Sequence, residues 1–237
     1  MATTHSVAND GKVLIWDLPT RMFHWLLVLS LAASWWTAEA GIEWIDWHFR
    51  LGYFAAGLVI FRVIWGFVGP RHARFSSFLR GPGAVADYVA TLPKKDSNPT
   101  PGHNPVGAIA VVVMLLAIAI QAGTGLFASD DIFTDAPFHP LVSDDTASLL
   151  TSIHHLNFNI LLGLAGLHIV AVLFYVLWKK QGLIRAMLTG RKKVEGIQQS
   201  DGIASSRLLL AIVLAALVGL AVAGAVSQAP EPEEDFY

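Results

Sequence analysis

The chain has 237 residues, 54 % of them hydrophobic and only 14 % charged, and its mean hydropathy is +0.53; this is the composition of a membrane protein, not of a soluble domain. A formal net charge of −2 offers no general attraction for nucleic acid, and none is expected as a partner. The sequence has no cysteine, which excludes disulfides, iron–sulfur clusters and c-type haem bound through C-x-x-C-H, so any redox cofactor must be held by nitrogen or oxygen.

A transmembrane helix needs roughly 20 mostly apolar residues, and five stretches approach that, at about 22–38, 49–68, 105–127, 155–178 and 207–226. The leader, ending in "VLIWDLPTR", has no basic region and no small-residue cleavage site, so a removed signal peptide is not expected. Span one carries His24 in "RMFHWLL", just after Arg21; span two carries His48 in "DWHFRLGY", with Arg50 beside it and Arg62 fourteen positions on. The next connection contains Arg71, His72, Arg74, Arg80, Lys94, Lys95 and His103. Its Gly-Pro and Pro-rich breaks flank a short amphipathic piece, "GAVADYVATL", expected on the membrane surface.

Between spans three and four lie Asp130, Asp131, Asp135, His139, Asp144 and Asp145 with no Lys or Arg. Span four begins at "HHLNFNILLGLAGLH", residues 154–168, and is followed by Lys179, Lys180, Arg185, Arg191, Lys192 and Lys193. Span five has neither histidine nor charge and reads as a peripheral helix or an attachment surface for another subunit; the acidic tail "EPEEDFY" is expected to be disordered. The eight tryptophans gather near the ends of the first two spans and of the fourth, as an interfacial belt does. The positive-inside rule then puts the N-terminus inside, in the cytoplasm, and the C-terminus outside. The acidic outer loop either attracts a basic soluble partner or is simply solvated.

The nine histidines divide into two groups. His5, His72, His103 and His139 lie in polar segments, where an exposed or hydrogen-bonded imidazole is ordinary, whereas ionisable groups in apolar spans are expensive and read as functional. At about 100° per residue, the fourteen positions from His154 to His168 bring both to one helix face, with a rise of about 21 Å; His155 points about 140° away from His168. That separation is too long for one metal ion and suits two cofactors stacked across the bilayer, each imidazole being the axial ligand of its own haem. Bis-histidine ligation requires two more histidines at matching depths, and the topology pairs His24 with His168 towards the cytoplasm and His48 with His154 towards the outside. For His24 and His168 to share a depth, span four must run past the lipid or span one must start before residue 22.

Arg62 lies on the face of His48, nearer the inner site. It is expected either to meet a haem propionate or to snorkel to the interface, and Arg21 and Arg50 are further propionate candidates for the inner and outer haem. Gly52, Gly57, Gly123, Gly125, Gly163 and Gly166 admit either a flat ring or close helix packing. His103 and Asn104, with His72, are candidates for a quinone site or for inner propionate contacts, although "NP" is also an ordinary helix start.

With these residues in view, the chain resembles the prokaryotic cytochrome b561 family, which includes the cytochrome b subunits of nickel–iron hydrogenases. The resemblance covers about residues 12–193 and rests on "WDLPTRMFHW", "FRVIWGFVGPRHARF", "GHNPVG" and "LHIVAVLFYVLWKKQGLIRAMLTGRKK". It implies an all-α membrane protein: a four-helix transmembrane bundle over 1–193 that binds two haems b, with His24, His48, His154 and His168 as axial ligands. Residues 194–237, a fifth C-terminal transmembrane helix and tail, depart from the minimal members and are expected to serve homo- or hetero-oligomeric attachment. The function expected is electron transfer between the quinone pool and a periplasmic partner such as a c-type cytochrome. Two rivals stand beside it: superoxide oxidation at the outer face with quinone as acceptor, which the acidic loop opposes, and a non-redox proton or metal transporter using the same histidines.

Overall fold

The computed structural model describes residues 12–94, 100–130, 134–193 and 198–230. His5, Lys95, Asp131 and the acidic tail lie outside them. A two-residue strand, β1 (Val13–Leu14), leads into α1 (Leu18–Glu39), α2 (Ile45–Val68), α3 (Phe75–Phe78), α4 (Pro82–Thr91), α5 (Pro105–Gly125) and α6 (Asp144–Leu177). Then follow α7 (Leu183–Thr189), β2 (Arg191–Lys192) and α8 (Leu208–Ser227).

Four helical segments, at Ile42–Val68, Pro105–Gly125, Asp144–Leu177 and Leu208–Ser227, are long and apolar enough to cross a membrane. The count is four where five were expected, and the helix that falls short is α1. Its 22 residues suffice in length, but Arg21, Thr20, His24 and its tryptophans dilute its apolarity. The large apolar side chains are turned outward, Leu209 at 77 % and Leu220 at 71 % exposure among them, as suits surfaces meant for lipid.

Local chemistry explains where the helices start. Asn104 caps α5, its Oδ1 accepting from Gly107 N at 2.7 Å, with Pro105 in the first turn. Ser143 caps α6, and Asp144 and Asp145 complement the positive end of its dipole. Hence α6 starts well before the apolar run near 155, and its 34 residues extend about 51 Å, more than the roughly 30 Å of hydrocarbon. α1 also starts early, at Leu18, which meets the second of the two alternative conditions for matching His24 to His168.

Asp17 caps α1 and ties it to the far end of α2. Its Oδ1 accepts from Thr20 N at 2.9 Å and from Trp65 Nε1 at 3.1 Å, and its Oδ2 accepts from Thr20 Oγ1 at 2.8 Å. Asp17 and Trp65 are both fully buried. Asp17→Ala removes the cap and strands the indole N–H, an expected loss on the order of 2–3 kcal/mol. Asp17→Asn keeps an acceptor and should lose much less; the thermal denaturation midpoints of the detergent-solubilised proteins compare them.

Successive long helices are neighbours: α1 lies on α2, α2 on α5 and α5 on α6. The fifth long helix, α8, packs on α2, where Val218 and Val222 close over Gly57; at that glycine the helix-packing alternative holds. α6 packs chiefly on α5, and its approach to α1 and α2 is made mainly by side chains: Trp35 meets Phe158 with ring centroids 5.9 Å apart, and Leu161 joins the core cluster of Phe23, Leu27 and Val59. The backbone of α6 thus lies closer to α5 than to the α1–α2 pair.

The basic connections meet at one end of the molecule. β1 pairs antiparallel with β2, and Ile15 N and Trp16 N both donate to Gly190 O at 2.9 and 3.0 Å. Gly190 closes α7 with φ 78°, and a Cβ there would stand 2.7 Å from Trp16 O, so both conformation and space demand glycine. The segment before α8 straps across this end: Ile203 N donates to Leu14 O at 2.9 Å, His72 Nε2 meets Asp201 O at 2.6 Å, and Arg71 Nη1 donates to Ser200 O at 3.4 Å. Lys192 Nζ donates to Thr100 O at 2.6 Å and Arg207 Nη1 to Val68 O at 2.8 Å. The amphipathic piece expected near 83–92 is α4, held by Tyr88 OH against Tyr175 OH at 2.9 Å.

Candidate functional site

Two pairs of imidazoles are among the side chains that meet between α6 and the α1–α2 pair. The ring centroids of His24 and His168 are 6.4 Å apart and those of His48 and His154 are 6.2 Å apart. An imidazole bonded through nitrogen to a metal ion about 2.0–2.1 Å away has its centroid about 3.2 Å from that ion, so two rings on opposite sides stand about 6.4 Å apart. Both pairs fit a single ion clasped between them. Among the described residues no group of three or more His, Cys, Asp or Glu could hold a metal. Two nitrogens are too few for a closed site, so an ion here must bring most of its other ligands with it, as the iron of a haem does.

The pair at the acidic end is fully organised. His48 Nδ1 donates to Ser34 O at 2.9 Å, and His154 Nδ1 donates to Gln121 O at 2.9 Å with Thr124 Oγ1 at 3.4 Å. Each bond holds the proton on Nδ1 and leaves the Nε2 lone pair for a metal, the usual outer-sphere support of a histidine ligand. The carbonyl of Gln121 is itself held in place: Asn157 Nδ2 donates to Gln121 Oε1 at 2.7 Å and to Ala117 O at 2.9 Å, pinning α6 to α5. Gly125 makes room for the ring, since a Cβ there would lie 2.7 Å from His154 Cε1. His155 is exposed, and its ring lies 6.2 Å from that of His154 between centroids.

The pair at the basic end differs. His24 Nδ1 is buried with no hydrogen-bond partner, and His168 is exposed. Arg62, only 2 % exposed, does not snorkel: its guanidinium lies 5.1 Å over the Phe75 ring and its Nη1 has no partner. Arg21 donates to Leu188 O while its Nε is buried and unpaired. Arg50 is exposed, 5.3 Å over the Trp47 ring. Gly52, Gly123, Gly163 and Gly166 face open space.

Of the three residues considered for a quinone or propionate contact, two are engaged: Asn104 caps α5 and His72 bonds the strap. His103 remains, wedged between Trp16 and Phe78 with ring centroids at 4.7 and 4.6 Å. Burial, and after it the charges of Arg62, His72, Lys192 and His168, push its pKa down to about 3. Burial likewise lowers Lys192 to about 8. The outer-sphere partners Ser34, Gln121, Thr124 and Asn157 escaped sequence reasoning. Asn157, three positions from His154, and Gln121 left a signal, each as an amide within an apolar run.

Residues 15–190 match the family model described as prokaryotic cytochrome b561. The chain is similar to the probable Ni/Fe-hydrogenase B-type cytochrome subunit of Rhodobacter capsulatus, with 25 % identity over 223 residues, 79 % of this chain and 84 % of that protein. It is also similar to the subunits so named from Rhizobium leguminosarum bv. viciae, 25 % identical over 217 residues (76 % and 89 %), and Azotobacter vinelandii, 26 % over 224 residues (78 % and 90 %). No solved structure matches.

Proposed function

Because the chain belongs to the prokaryotic cytochrome b561 family, a family of membrane proteins that transfer electrons through b-type haem, we propose that it holds two such haems. One lies between His24 and His168 and the other between His48 and His154. The observation that carries this is the spacing of the two imidazole pairs, 6.4 and 6.2 Å between centroids, from α6 to α1 and to α2. A haem held by these histidines would supply reversible one-electron exchange, and the protein would contribute position, potential and partner choice.

The chain's own residues divide that work. The Nδ1–H bonds of His48 and His154 to backbone carbonyls fix their tautomers and ring planes. Arg62 neutralises a propionate of the inner haem, aided by Arg21; Arg50 stands beside the outer haem, where its exposure makes it the weaker contributor. α1 crosses the bilayer with α2, supported by contacts at both ends of the pair: Asp17 to Trp65 at one, Ser34 to His48 at the other.

By the charge asymmetry of its loops the basic end is cytoplasmic and the acidic end periplasmic, in a bacterial inner membrane. Electrons pass between the quinone pool and a periplasmic redox partner. The names of the relatives indicate a hydrogenase, and a basic c-type cytochrome would also suit the acidic loop. Residues 1–193 form the haem-binding bundle, and α8, with its outward apolar face, serves attachment to another subunit or a second copy.

The test is the optical spectrum of the detergent-purified protein, oxidised and dithionite-reduced, with haem quantified as pyridine haemochrome. A sharp b-type α-band and about two haems per chain are expected. A colourless preparation from haem-sufficient cells would overturn the proposal in favour of a transporter.

A further inference from the structure

Among the described residues, the buried nitrogen atoms that no hydrogen bond satisfies are Arg21 Nε, His24 Nδ1, Arg62 Nη1, Arg74 Nε and His103 Nδ1. All five belong to the basic end; the one other unsatisfied buried side-chain atom among the described residues, Ser34 Oγ, lies at the acidic end. The histidines of the other pair both have their Nδ1 satisfied by carbonyls. A buried donor without an acceptor costs free energy, a guanidinium more than a neutral group. So many at one end indicate an acceptor that the chain does not supply itself.

The nearby carboxylate, Asp17, is already committed to Thr20 and Trp65. Arg62 and His103 flank one aromatic group: Arg62 stands over Phe75, Phe75 packs on Phe78 at 5.8 Å, and Phe78 packs on His103 at 4.6 Å. Arg62 and His168 both act electrostatically on His103, which puts it at the same end of the molecule as the inner imidazole pair. His103 is wedged by Trp16 on its other side, which leaves its ring little freedom, and with its pKa near 3 it is neutral at working pH. It can therefore donate one N–H without adding charge. A buried arginine and a neutral imidazole at one end of the bundle, each with a donor unsatisfied, offer the chemistry of a carboxylate clasp.

Resting on the haem reading above, we propose that His103 is a positioning residue for the inner haem, its Nδ1–H and Arg62 Nη1 together clasping one propionate carboxylate. The clasp orients the ring beside α6. It also withdraws negative charge from the neighbourhood of the iron, which favours the reduced state.

The test uses the purified holoprotein with haem 13C-labelled at its propionate carboxyls, followed by redox titration and redox-induced infrared difference spectroscopy. In His103→Leu one midpoint should fall by a tenfold change in the reduction equilibrium, about 59 mV for one electron. One labelled carboxylate band should move with it, while the second haem stays unchanged. His103→Asn, whose amide N–H takes the place of Nδ1–H, should restore both midpoint and band. Two haems with wild-type midpoints and carboxylate bands in His103→Leu would overturn the clasp. If that variant sheds the inner haem, His103→Asn decides: wild-type bands support the clasp, and shifted bands overturn it. Wild-type protein without haem would instead overturn the underlying haem reading, an outcome visible before any variant is made.

Discussion

His168→Ala is expected to yield a purified protein with about one haem per chain in place of two, the survivor being the one between His48 and His154. Each imidazole pair supplies only two nitrogens to its ion, so losing one removes half of the protein's bonds to that iron. The remaining ligand of the inner site, His24, has a buried Nδ1 with no hydrogen-bond partner and hence no bond that holds its ring or raises its basicity. His48→Ala should behave differently. It leaves His154 tethered to Gln121 O and backed by Asn157, so the outer haem is retained in larger part, as a five-coordinate high-spin form with weakened affinity. Pyridine haemochrome and low-temperature electron paramagnetic resonance of the two variants separate these outcomes. If both variants keep two low-spin haems, the ligand assignment is wrong.

The second large effect is expected at Gly125, which contacts no cofactor in the proposed arrangement. A Cβ at this position would stand 2.7 Å from His154 Cε1 and 3.0 Å from its Nδ1. α6 cannot retreat, because Asn157 pins it to α5 one turn away, so the ring must rotate out of its bond to Gln121 O. Gly125→Val should therefore lower retention of the outer haem by about 10–100-fold, the usual cost of disturbing the support of a metal ligand, and abolish electron transfer across the membrane. Gly123→Ala, two positions away and facing open space, should leave haem content and spectra unchanged. Equal haem content in the two variants would show that Gly125 is there for helix packing alone.

Much of the fold was legible in the one-dimensional pattern. α2, α5, α6 and α8 stand where apolar runs of sufficient length predict them, and the caps at Asp17, Asn104 and Ser143 are of the residue types that start helices. The errors have a common cause. Hydropathy marks what faces lipid, whereas helix length depends on capping and tertiary support. α6 thus begins at Asp144 within polar sequence, and α1 is a long helix that falls below the apolarity of a candidate span. Arg62 shows the same limit: snorkelling and burial are equally compatible with its position in the chain, and only its packing over Phe75 decides between them.

The histidine positions were determined by the sequence alone, because periodicity on a helix is local geometry: fourteen residues bring His154 and His168 to one face about 21 Å apart whatever surrounds them. The absence of cysteine likewise limited the chemistry before any fold was known. The separation of α6 from the α1–α2 pair was decided only by the tertiary structure, as was the choice of Ser34 and Gln121 carbonyls as partners for two imidazoles. So was the convergence of Arg62, His103 and Phe75 at one end. These depend on contacts between residues far apart in the chain, set by how whole helices pack, and no local pattern encodes the distance between two helices that are not neighbours in sequence.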